Sequence, residues 1–307
     1  LGGAAALTKV REARRSADAD LVDAAVRALA GWSTADALDD VLEIARRSER
    51  KAHRVLALQA YIRMIGLPNE REPEATYELY KTAMSLVERP DEKKAVLAGL
   101  SEVGCLEALN LAGTYLGDEA VRAEAEVSAA RIAYLVGPQH REPARTSAQR
   151  ILDSTQGADN RKRAEQALAH IRDSEGAIMT WVYAGPFWEE GLGFGDVCAR
   201  AFPPELPGRE KLEWKPLKMT NPHEPWTFDL TKLDAGSDRC VYVHAAVWSE
   251  TEQEARLGVG SDDGVRVWLN GQLVHEFNGI RGHKPLEDKV PVTLHAGWNP
   301  LLLKIVQ

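Results

Sequence analysis

One stretch of this sequence carries side chains whose types and spacing could do chemistry: Gly260-Ser-Asp-Asp-Gly-Val-Arg-Val-Trp-Leu-Asn-Gly-Gln-Leu-Val-His, ending at His275. Asn270-Gly271 is a turn signal, because a two-residue type I′ turn needs residues that tolerate positive φ between two alternating strands. Counting outward sets Leu269 against Gln272, Trp268 against Leu273, Val267 against Val274 and Arg266 against His275. Arg266, Trp268, Leu273 and His275 then share one face, while Val265, Val267, Leu269 and Val274 face a core. A tryptophan beside an arginine and a histidine, with Asn270 at the turn, suits a sugar. The ring stacks on pyranose C–H groups and the polar neighbours bond hydroxyls. The competing reading packs Trp268 under a loop. Asp262-Asp263-Gly264, read by itself, is a tight turn whose carboxylates cap backbone amides.

No catalytic constellation accompanies this stretch. Eight histidines are present without HExxH, CxxCH or HxH, and neither GxSxG nor a phosphate loop occurs. Gly191-Leu-Gly-Phe-Gly lacks the lysine and the strand-to-helix setting of a nucleotide loop. His223, His244, His275, His283 and His295 could converge by folding, but read as surface or hydrogen-bonded residues. Glu189 with Glu190, or Glu252 with Glu254, cannot be assigned to glycoside hydrolysis, which needs a set separation across a cleft. The expectation is a binding or scaffold protein and not an enzyme. The three cysteines read as buried thiols, with Cys198 and Cys240 able to pair in an oxidising compartment.

The elements that must position these residues divide into two domains, expected over 1–175 and 176–307. At 307 residues the chain exceeds what one core ordinarily supports. Before residue 176, Ala, Leu, Glu and Arg dominate and Trp32 is the only tryptophan; seven of the eight tryptophans follow it. A net charge of −8 without a basic stripe argues against nucleic acid, whose phosphates need clustered Lys and Arg. No apolar run approaches the roughly 20 residues of a membrane span. Leu1-Gly2-Gly3 lacks an initiator Met, so the natural protein is expected to extend further.

The first domain repeats a phrase in which a basic residue opens a small-and-aliphatic helix, at Arg54, Lys94, Arg122 and Arg163, spaced 40, 28 and 41 residues apart. An earlier copy begins at Leu21. Between the copies, 37–45, 76–87, 107–116 and 143–152 show apolar residues at three- and four-residue steps, giving each helix one face to bury against its neighbours. This pattern resembles HEAT-type repeats, which implies an α-solenoid serving as a spacer or as a docking surface for a protein partner.

From residue 176 the period becomes alternating, and strands are expected over 179–184, 240–248, 255–260, 265–269, 272–277, 289–294 and 301–306. Many short strands imply an antiparallel β-sandwich or barrel. The segment Gly260 to His275, with Trp181-Val-Tyr-Ala-Gly-Pro-Phe, Asp288-Lys-Val-Pro-Val-Thr-Leu and Gly297-Trp-Asn-Pro-Leu-Leu-Leu-Lys-Ile, resembles galactose-binding-like jelly rolls that accompany bacterial glycoside hydrolases, and protective-antigen-type lectin domains. That resemblance implies glycan binding, and a Ca²⁺ held by the pair matching Asp262 and Asp263. Helical repeats followed by such a jelly roll look like planctomycete-type modular proteins, which implies a periplasmic or extracellular place. Such domains continue past the last strand seen here, so the sandwich is expected to be truncated. The alternatives are an assembly subunit without sugar binding, or the accessory part of a larger sugar-active enzyme.

Overall fold

The chain is described by a computed structural model for residues 3–208, 211–218, 221, 224, 226–233 and 236–307; His223 lies outside the described residues. It separates into two compact units, Leu1–Glu175 and Gly176–Gln307. The first is helical and the second is built on antiparallel sheet. No helix among the described residues is long and apolar enough to cross a membrane.

The first unit runs α1 (Ala4–Arg14), α2 (Ala19–Ala30), α3 (Leu38–Arg47), α4 (Lys51–Ile65), α5 (Pro73–Ser85), α6 (Pro90–Leu100), α7 (Leu106–Thr114), α8 (Arg122–Val136), α9 (Arg141–Ser154) and α10 (Ala158–Asp173). Each helix packs on the next. The even-numbered helices also pack in succession from α2 to α10, as do α5, α7 and α9. Small residues allow this closeness: Ala57, Ala60, Ala125, Ala129, Ala133, Ala164 and Ala167 are all buried in one continuous core. Gly99 of α6 has no room for a side chain, since a Cβ there would overlap the Tyr80 ring of α5.

At the start of α6 a buried carboxylate is satisfied locally. Pro90 occupies the first turn of α6, where its missing N–H costs nothing. Glu92 Oε2 accepts the backbone N–H groups of Glu88 and Arg89 at 3.1 Å each, and its other oxygen accepts from the Arg89 guanidinium at 2.7 Å. Burial alone would raise the Glu92 carboxyl, but these bonds outweigh it and hold the group below its ordinary value.

The second unit contains β1 (Trp181–Phe187), α11 (Phe194–Ala199), β2 (Lys215–Leu217), β3 (Cys240–Ser249), β4 (Gln253–Val259), β5 (Gly264–Leu269), β6 (Gln272–Phe277), β7 (Asp288–Leu294) and β8 (Gly297–Val306). Six strands form one sheet in the order β2-β1-β3-β8-β5-β6, and β4 pairs with β7. Alternation decides what each face meets. On one side Val265, Val267, Leu269 and Leu301 pack against Val259 of β4 and Val290 and Val292 of β7. On the other, Cys240, Tyr242, Leu302 and Val306 pack against Val197 and Cys198 of α11 and against Phe202.

The β5–β6 register differs from the count made outward from the turn. Asn270 and Gly271 have φ of 53° and 79°, as a type I′ turn requires, and Trp268 does pair with Leu273. Then the ladder slips: Val267 pairs with His275 and Arg266 with Glu276. Val274 is the extra residue of a β-bulge, so every later side chain of β6 changes face. His275 therefore leaves the Arg266–Trp268 face and lies 3.0 Å from Asp288 of β7, and Glu276 takes its place beside Arg266 at 3.5 Å.

Candidate functional site

Side chains of β3, β5 and β8 that share one face form successive rows from a covered end to an open one. Tyr242 pairs with Lys304, His244 with Leu302, Ala246 with Pro300 and Trp248 with Trp298. On β5, Arg266 stands opposite Lys304 and Trp268 opposite Leu302. At the covered end Tyr242 and Lys304 are buried; His244 and Trp268 are half-buried; Ala246, Trp248 and Trp298 are exposed. The segment carrying α11 and Phe202 covers only the first rows.

Where the cover stops there is a cleft of about 170 Å³ lined by Ala201, Glu205, His244, Trp268, Gly271, Pro300 and Leu302. It is smaller than the roughly 300–1,000 Å³ of pockets that enclose small molecules, and it suits a ligand laid across the sheet. Trp268 forms one wall. The Arg266 guanidinium carbon lies 5.3 Å from the Trp268 ring centre, a cation–π contact that fixes the ring plane. Trp214 tilts over His244, with ring centres 5.6 Å apart.

Glu205, at the end of a short 3-10 turn (Pro203–Glu205), is held by groups beneath the cleft. Its Oε1 accepts from the Tyr242 hydroxyl and lies 3.4 Å from Lys304 Nζ, and its Oε2 lies 3.7 Å from Arg266 Nη1. Lys304 is 0% exposed. Its ammonium also donates to the carbonyls of Cys198 at 3.1 Å and Arg200 at 2.5 Å, where α11 ends and its carbonyls lack helical partners. Burial and the bond to Glu205 together push the Tyr242 hydroxyl far above the usual phenol range. Burial raises the Cys198 thiol, and it pushes the Cys240 thiol up to about 12. Cys198 and Cys240 are both free and buried.

The residues expected from sequence are thus dispersed. Arg266 and Trp268 lie together at the cleft. Asn270 is at the turn beside it, but its side-chain amide donates to Asn299 Oδ1 at 2.8 Å, which ties the hairpin to β8. His275 is on the opposite face. Glu205, Tyr242 and Lys304 were not singled out, and His244 was named only as one of five histidines read as surface or hydrogen-bonded residues. Lys304 had a signal: in Leu302, Lys304 and Val306 the alternation places a lysine on an apolar face, where it must find acceptors.

Asp262 and Asp263 sit at the start of β5. Asp263 has φ of 57°, donates its N–H to the Arg281 carbonyl and accepts the Arg281 N–H at Oδ1, both at 3.1 Å. The Arg281 guanidinium donates to Ser261 Oγ at 2.8 Å and to Asp288 at 2.6 Å, and holds the Asp288 carboxyl below the usual carboxylate range. Asp262 is exposed. Calcium takes six to eight oxygens. Here a guanidinium stands inside the cluster, and no group of three or more His, Cys, Asp or Glu among the described residues is placed to hold a metal. Asp263 closes a turn onto the loop containing Arg281 through both its backbone and its carboxylate.

In the helical unit a cavity of about 330 Å³ is lined by Arg11, Arg14, Arg15, Asp39, Asp40 and Glu43. Its charges answer one another, Arg11 with Asp40 at 2.7 Å and Arg14 with Glu43 at 2.6 Å. Comparison with known proteins finds no family model, no curated protein and no solved structure that matches the chain.

Proposed function

We propose that the second unit is a carbohydrate-binding β-sandwich and that its sugar site is the cleft beside Trp268. The observation that carries this reading is a half-buried indole, oriented by Arg266, forming the wall of a cleft that also offers Glu205 and His244. A pyranose ring presents C–H groups to an aromatic plane and hydroxyls at its rim, and this wall and floor match those two demands. The two-stranded sheet packed over the six-stranded one supports the sandwich. The two rows of packed helices support a HEAT-like α-solenoid in the first unit, acting as a spacer or as a docking surface for a protein partner. A place outside the cytoplasm goes with a glycan ligand.

The test is affinity electrophoresis of the chain through gels containing soluble plant, fungal and bacterial polysaccharides, with and without EDTA. Retardation by at least one polysaccharide, lost in Trp268→Ala and unchanged by EDTA, is the expected result. A chain that runs unretarded in every gel is not a carbohydrate-binding protein.

A further inference from the structure

The cleft is not the end of the exposed aromatic surface on this face. Two rows beyond it, Trp248 of β3 and Trp298 of β8 stand directly opposite each other, 56% and 67% exposed, with ring centres 5.3 Å apart in an edge-to-face arrangement. Both point to the same side of the sheet as Trp268, because Trp298 and Leu302 are four residues apart on β8 and Leu302 is the partner of Trp268. On β3 and β8 only Ala246 and Pro300 lie between the rows, so neither of these strands raises a tall side chain there. Pro300 also lines the cleft, which makes the two features continuous.

Four residues of strand span about 13 Å. A pyranose ring, built of bonds of about 1.5 Å, measures about 5 Å across, so one sugar unit cannot touch both Trp268 and the tryptophan pair. A groove with an aromatic wall at each end, a low floor on β3 and β8 and polar groups at the cleft end fits a linear chain of sugars. We infer that the ligand is an oligosaccharide of three or more linked pyranoses running along β8 from the Glu205–Trp268 cleft to the Trp248–Trp298 pair, and not a terminal monosaccharide. This rests on the carbohydrate reading above and adds a second subsite to it.

The experiment is calorimetric titration of the full chain with glucose, xylose, mannose and N-acetylglucosamine, and with β-1,4-linked oligomers of each from two to six units. Wild type is compared with Trp248→Ala/Trp298→Ala and with Trp268→Ala. The expected result is an affinity that rises roughly tenfold between the dimer and the longer oligomers. The double substitution removes that rise and leaves dimer binding intact, while Trp268→Ala weakens every length. Dimer binding that needs Trp268, with no gain from length or with a gain that survives the double substitution, overturns the extended groove and leaves the sugar reading standing. If no saccharide of any length binds, both fail. Self-association in sedimentation that disappears in the double variant makes the pair an interface between copies, which also overturns the groove.

Discussion

Lys304→Met removes the cation on which the covered end of the sheet depends. The ammonium is fully buried, bonds two carbonyls at the end of α11 and approaches Glu205. Methionine fills much of the same volume, so the change isolates the polar loss from cavity formation. Removing one partner of a buried pair costs about 3–5 kcal/mol, because the groups left behind are desolvated without compensation. The remaining approach of Arg266 to Glu205 at 3.7 Å places the expectation at the lower part of that range, about 3 kcal/mol. Urea unfolding reads it cleanly, since seven of the eight tryptophans lie in the second unit and fluorescence reports mainly that unit, while circular dichroism at the helical band reports the first. With a slope of about 2 kcal/mol per molar, the fluorescence midpoint falls by about 1.5 M and the helical transition stays in place. Glu205→Gln should then cost less in the Lys304→Met background than alone. A fluorescence midpoint within about 0.3 M of wild type would show that Lys304 does not hold α11 and the Glu205 turn to the sheet.

Three further outcomes follow from particular contacts. Gly99→Val, placed against the Tyr80 ring, should lower the midpoint of the helical transition by an amount equivalent to about 1–3 kcal/mol of overpacking, with the fluorescence transition unmoved. The Glu92 carboxyl is held below its ordinary value, so its contribution is fully present above about pH 4.5 and is lost as pH falls through the lower folded value; the stability gap between wild type and Glu92→Gln should be wide at pH 7 and narrow progressively as pH falls below 4.5, measured by thermal melts across that range. Cys105, Cys198 and Cys240 are buried with thiols raised above the ordinary value, Cys240 to about 12, so a disulfide reagent at pH 8 should titrate no thiol in the native chain and all three after denaturation.

The alternation of apolar residues made most strands legible, and the three- and four-residue steps did the same for the helices, because burial on one face imposes those periods. The helix α11 and the short strand β2 were not: six and three residues are too few for a period to show. The hairpin turn was legible from Asn270-Gly271 because positive φ restricts residue type, whereas the bulge at Val274 was not. A bulge leaves composition unchanged, and Val274 remains apolar and partly buried either way. That one slipped residue moved His275 across the sheet. Glu205 was illegible for a different reason: it comes to the cleft from a turn some sixty residues before Trp268, and only packing brings them together. Lys304 could have been read, since a charged residue on an apolar face announces partners even when it does not name them.

The most direct test of the carbohydrate account watches the indole N–H signals of the eight tryptophans in a ¹⁵N-correlated NMR spectrum as an oligosaccharide of the retained polysaccharide is added. Signals are assigned by single Trp→Phe substitutions. The account predicts that Trp268 shifts first and most, with Trp248 and Trp298 following for the longer chains and Trp32 unmoved. Shifts confined to other tryptophans, with Trp268 unchanged at saturating ligand, would contradict it.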